Sequence, residues 1–187
     1  EDSLEKVFPE DVPEPQPGEN RTVKLQLARN EAESFQIVVR PPAKMELHQV
    51  NVAVSELTSP NGTIPATNVQ RYNVLYYPVR IPSYFEGPTG NWPDPLPDFK
   101  PFTAYAGRCH PIWLTVYAPT QTPPGVYTGV ITVTAADQPP MELGIELTVY
   151  DFALPVTPAL KTDFGLWLDK AAEWAKIKGG NGDPAQL

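Results

Sequence analysis

The sequence predicts an all-β fold: an antiparallel β-sandwich of the immunoglobulin or jelly-roll kind over residues 21–157, with a single helix after it. Three observations carry that expectation. Short runs with period-two apolar alternation recur along the chain and are separated by turn residues. No long amphipathic helix interrupts them. Twenty-four prolines in 187 residues are more than twice the usual share of about 5%, a density that suits loop ends and edge strands.

Residues 1–20, "EDSLEKVFPEDVPEPQPGEN", carry Pro9, Pro13, Pro15 and Pro17 and many acids, and predict an extended, weakly ordered lead-in. In the first strand Val23, Leu25 and Leu27 alternate with Thr22, Lys24 and Gln26. In the second, Phe35, Ile37 and Val39 alternate with Ser34, Gln36 and Val38. Val50, Val52 and Val54 mark the next strand, Asn61-Gly62 a tight turn, and "VQRYNVLYYPVRI" one further aromatic-rich strand. After Ile81 the periodicity stops. "PSYFEGPTGNWPDPLPDFKP" holds six prolines and two glycines, and a loop of this length is usually functional or part of an interface. Strands resume with "IWLTVYAP", "GVYTGVITVTA" and "MELGIELTVYDF". The last places Met141, Leu143, Ile145, Leu147 and Val149 on one face. The total is seven or eight strands.

The helix comes next. Leu168, Ala171, Ala172 and Ala175 form one apolar stripe, Trp167 and Trp174 lie beside it, and Gly179-Gly180 ends it. The preceding "LKTDFGL" reads as a short buried strand. A strand, a turn and an amphipathic helix open an α/β fold and cannot bury their own apolar face. Residues 158–187 are therefore expected to be a linker plus the start of a second domain that is mostly missing.

Composition narrows the partners. Fourteen basic against 22 acidic residues, net −8, argue against nucleic acid and against an anionic membrane surface, since both need clustered Lys and Arg. No apolar run reaches the roughly 20 residues of a membrane-spanning helix. Cys109 is the single cysteine, so neither an intramolecular disulfide nor a cysteine metal cluster can form, and Cys109-His110 reads as a buried thiol at a strand start. No metal and no cofactor are expected. "KGGNGDP" lacks the Lys-Ser/Thr ending of a phosphate loop.

The candidate binding residues sit where periodicity fails. Tyr84, Phe85, Trp92 and Asp94, with Trp113 on the outer face of "IWLTVY", could present flat rings and a carboxylate to a sugar. The bland alternative is a loop that covers a sheet end or docks on another domain. Glu31 and Glu33 share a strand face and could act as a carboxylate pair, but a turn network with Arg29 is the favoured account, since surface ion pairs far outnumber acid/base pairs. Tyr117, Asp151 and Phe152, together with Trp167 and Trp174, are the candidate contacts with a following domain.

Four stretches in order, "LARNEAESFQIVVRP" (27–41), "NWPDPLPDF" (91–99), "PPGVYTGVITV" (123–133) and "ELTVYDFALPVTPALKTDFGL" (146–166), resemble the N-terminal β-sandwich of glycoside hydrolase family 123-like proteins. The resemblance covers about residues 22–166. It implies a non-catalytic sandwich ahead of a (β/α)8 barrel whose adjacent Asp-Glu pair hydrolyses N-acetylgalactosaminides. There the substrate acetamido group is the nucleophile and the Glu the general acid/base. No Asp-Glu dipeptide occurs in this chain, so no catalytic residue transfers to it. The C-terminal helix would be the remnant of a truncated (β/α) barrel. The expectation is an accessory domain, not itself an enzyme, from a secreted or periplasmic protein. Its main partner would be the C-terminal catalytic domain, and its second an oligo- or polysaccharide. The rival reading is an autonomous carbohydrate-binding module.

Overall fold

The computed structural model describes residues 3–12, 22–82, 89–136, 138–157 and 159–161. The chain divides into two units, residues 1–154 and 155–187, and the strands among the described residues lie in the first. The described residues of the second unit run without strand or helix. The expected C-terminal helix, with Trp167 and Trp174, falls outside the described residues.

The first unit is built on two sheets. The larger has the order β1 (Thr22–Arg29), β12 (Gln138–Ala153), β11 (Gly125–Ala135), β3 (Leu47–Val54), β9 (Phe102–Ala104). A hairpin of β4 (Leu57–Ser59) and β5 (Gly62–Ile64) joins it through β11. The smaller sheet runs β2 (Glu31–Val39), β10 (His110–Ala118), β6 (Val69–Asn73). A separate hairpin pairs β7 (Tyr76–Val79) with β8 (Gly90–Pro93).

The alternation read from the sequence puts one face of each sheet into a common core. Leu27, Val50, Val52, Tyr127, Ile131, Ile145, Leu147 and Val149 enter it from the larger sheet. Phe35, Ile37, Val39, Val69, Ile112, Leu114, Val116 and Ala118 enter from the smaller. Burying a side chain of this kind is worth about 1.5–3 kcal/mol, so this shared layer fixes which face of each strand turns inward. Tyr127 is wholly buried because its hydroxyl donates to the Pro123 carbonyl (2.7 Å). Arg71, on β6, donates across the sandwich to the Val52 carbonyl of β3.

Several expectations need correction. The sandwich is not wholly antiparallel, because β1 pairs with β12 in parallel, Val23 opposite Ile145 and Leu27 opposite Val149. Asn30, with φ 61°, turns the chain from β1 directly into β2 of the other sheet, so the two strands cannot form a hairpin. The last strand fills the place beside β1. Period-two alternation carries no information about strand direction.

"VQRYNVLYYPVRI" is two strands, β6 and β7, broken at Val74-Leu75, and the 82–101 loop contains β8 as the partner of β7. Twelve strands therefore occur among the described residues where seven or eight were expected. The tight turn centres on Pro60-Asn61, with Ser59 opposite Gly62. That places Ser, Pro and Gly at the first, second and fourth positions favoured by a type I turn. Met141 is half exposed, because β12 runs past the core at its start.

Residues 3–12 are not a loose lead-in, since they are fastened along the smaller sheet. Val7 and Pro9 are buried. The Gln36 side chain donates to the Glu5 carbonyl (2.8 Å), the Tyr76 hydroxyl to Val7 (3.0 Å) and the Cys109 amide to Pro9 (2.9 Å). Arg108 pairs with Glu10 at 2.8 Å.

Candidate functional site

Two places gather the residues singled out by the sequence. The first is a cleft of about 190 Å³ on the outer face of the smaller sheet. Its floor comes from neighbouring strands, Gln36 of β2 lying directly opposite Trp113 of β10. Ser3, Glu5 and Lys6 of the docked lead-in close one side, and Val74, Pro93, Asp94 and Leu96 at the base of the β7–β8 hairpin close the other. Trp113 is held in place by its indole N–H, which donates to the Thr115 hydroxyl (3.2 Å), itself bonded to Ser34 (2.8 Å). Gln36 is almost fully buried and tied to the Glu5 carbonyl. Asp94 is exposed. Its backbone amide donates to Leu75 (3.1 Å), while its carboxylate has no partner among the described residues.

Of the five sugar-contact candidates, Asp94 and Trp113 share this cleft. Trp92 is adjacent on β8 but occupied, its ring meeting Phe8 edge-on at 5.4 Å and lying 5.7 Å from the Lys6 ammonium. Tyr84 and Phe85 fall outside the described residues. Sequence reasoning missed Lys6 and Gln36 because it left the lead-in undocked. The available signal was Val7-Phe8, two apolar residues inside an acidic, proline-rich stretch.

The second place is where the chain leaves β12. The Leu154 amide donates to the Arg29 carbonyl (2.8 Å), and the Leu154 carbonyl accepts from the Asn30 side-chain amide (3.0 Å). Tyr117 donates its hydroxyl to Asn30 (2.9 Å), and Arg29 pairs with Asp151 at 3.4 Å. The turn between β1 and β2 thus clasps the end of β12 through both backbone groups of one residue. The Arg29 Nε is buried with no acceptor among the described residues. Beside this clasp, Tyr150 and Phe152 project from one face of β12 with rings stacked at 6.0 Å and 13°, and both are exposed. Of the candidate domain contacts, Tyr117, Asp151 and Phe152 therefore gather here, while Trp167 and Trp174 lie outside the described residues.

The other candidates have structural roles. Glu31 accepts the Ala28 amide at 2.6 Å, as a turn carboxylate would. No cluster of His, Cys, Asp and Glu suited to a metal occurs among the described residues. Cys109 is buried, with its thiol on the Asp11 carbonyl (3.2 Å). His110 accepts the Tyr105 amide at Nε2 (2.9 Å), and burial pushes its pKa down. Burial pushes the Tyr76 phenol up, with Cys109, Asp11 and Glu10 nearby adding to the rise.

A family model described as the glycoside hydrolase 123 N-terminal domain matches residues 3–135. No curated protein matches the chain. Among solved structures, a family 123 glycoside hydrolase from Clostridium perfringens, studied for glycolipid glycan hydrolysis, superposes with a TM-score of 0.66 at 19% identity. The match covers 72% of this chain and 24% of that one, so this chain spans about a quarter of its length. At that identity the likeness concerns the fold. The N-terminal domain of PorA (TM-score 0.38, 11% identity, 80% of this chain and all of that one) and a Bacteroides ovatus GH5 xyloglucanase (0.33, 12%, 70% and 17%) overlap too loosely to bear on it.

Proposed function

The chain belongs to the glycoside hydrolase 123 N-terminal domain family, and from that premise we propose that it is a non-catalytic accessory β-sandwich that braces a catalytic domain following it. One observation carries the reading, the clasp at Leu154. A residue bound through both its N–H and its C=O leaves little freedom of direction, and Pro155 next to it restricts the backbone further. A following domain would start from a fixed point, beside a stacked aromatic pair suited to burial against it. An acceptor from that domain would also satisfy the Arg29 Nε, sparing the roughly 1–3 kcal/mol that an unpaired buried donor costs. In this reading Tyr117, Asp151 and Phe152 form part of the contact, and glycoside hydrolysis belongs to the partner domain. In this reading the 187-residue chain alone should turn over no aryl N-acetylgalactosaminide. In the same reading the protein takes a secretory route, to the periplasm or outside the cell.

The test uses a longer chain that carries both this sandwich and the catalytic domain. Replacing Tyr150 and Phe152 by serine should shorten the half-life of glycosidase activity at elevated temperature and leave the rate at low temperature unchanged. Equal half-lives, or hydrolysis by the 187-residue chain itself, would overturn the bracing role.

A further inference from the structure

We propose that the cleft between the lead-in and the smaller sheet is a binding site for one neutral pyranose ring of a glycan. The site is distinct from the bracing surface: Trp113 lies four residues, roughly 13 Å of strand, along β10 from Tyr117 of the clasp. Each part of the cleft fits the ligand. Trp113 supplies a flat apolar ring already locked by its bond to Thr115, so stacking against the C–H face of a sugar costs no rotamer freedom. Gln36 beside it is fixed by Glu5 at the floor. At the rim stand a cation, Lys6, and an anion, Asp94, that form no ion pair with each other. A carboxylate accepts from adjacent hydroxyls and an ammonium donates to them, the complementary pair a vicinal diol requires.

Size and charge narrow the class. About 190 Å³ is below the roughly 300–1,000 Å³ of sites for drug-sized ligands, which leaves room for one ring. The exposed Asp94 carboxylate at the rim disfavours an anionic ligand such as a uronic acid or a phosphate.

The experiment titrates the whole 187-residue chain with the methyl pyranosides of galactose, glucose, mannose and xylose, followed by tryptophan fluorescence and by saturation-transfer NMR. At least one should bind saturably, and glucuronic acid should not. Asp94→Asn, an exposed and conservative change, should weaken binding about tenfold, the cost of losing one charge-assisted bond. Trp113→Phe should weaken it less, because a smaller aromatic face remains. No saturable binding up to about 100 mM, roughly a hundredfold above a weak millimolar site, overturns the proposal. So does binding that both variants leave unchanged. Neither result bears on the thermal coupling that tests the bracing role.

Discussion

Val7→Ala tests whether the lead-in is a fastened part of the domain. Val7 is 5% exposed, and the change removes two methyl groups. At about 0.8 kcal/mol each the loss is about 1.6 kcal/mol, at the low end for a core truncation because the lead-in can settle over the gap. Opening of this segment is a local event, so its population should rise about fifteenfold for that energy. Cys109 reports on it directly. The thiol is buried, its Sγ on the Asp11 carbonyl and its amide on Pro9, so a reagent reaches it when 3–12 lifts away. Thiol–disulfide exchange with an aromatic disulfide, under native conditions, should therefore accelerate about tenfold to thirtyfold in the variant. A labelling rate within twofold of the parent, with unchanged urea stability, would refute the docking of the lead-in. An unchanged rate with lowered global stability would refute its separate opening.

Three other outcomes rest on the same geometry. In Gly129→Ala the new Cβ would stand 2.5 Å from Leu57 Cδ2, 2.9 Å from Ser55 Oγ and 3.1 Å from the Glu56 carbonyl. Leu57 is fully buried in the core and the Glu56 backbone cannot yield freely, so urea denaturation should show a loss of about 1–3 kcal/mol at constant m; a loss below about 0.5 would contradict the packing. His110 is held below its ordinary pKa of 6.5 by burial, so below that pH the unfolded state binds more protons than the folded one. Stability should fall as pH drops through 6.5, and His110→Gln, which keeps an acceptor for the Tyr105 amide, should flatten that limb; parallel curves would exclude His110 as its source. The Leu154 amide should resist hydrogen exchange nearly as well as the β11–β12 ladder, and Asn30→Ala should weaken that protection; free exchange in the parent would mean the clasp is open.

Much of the core was legible because period-two alternation is a direct consequence of the pleat: Phe35, Ile37, Ile112, Leu114, Ile145 and Leu147 all fall on the inner faces their spacing assigned. Strand direction was not legible, since alternation is the same read either way, and nothing in it shows that β2 enters the other sheet and leaves the place beside β1 to β12. Residues 3–12 of the lead-in were misread because composition averages over the whole stretch, whose residues 1–2 and 13–20 lie outside the described residues. Its many acids and prolines outweigh Val7 and Phe8, although those two residues carry its docking onto Tyr76 and Trp92. For the candidate site, residue type found Trp113 and Asp94, but only the fold brings Lys6 and Gln36 to them from distant parts of the chain. Trp92 shows the converse, an aromatic in a proline-rich loop that packs against its own chain.

Scanning calorimetry on the longer chain, one that carries this sandwich and the domain after it, tests the bracing role most directly. The parent should unfold with the two domains coupled, the sandwich raising the transition of its neighbour. Asn30→Ala combined with serine at Tyr150 and Phe152 should separate the transitions and lower that of the neighbour to its value in isolation. Two independent transitions in the parent, unmoved by these changes, would contradict the account.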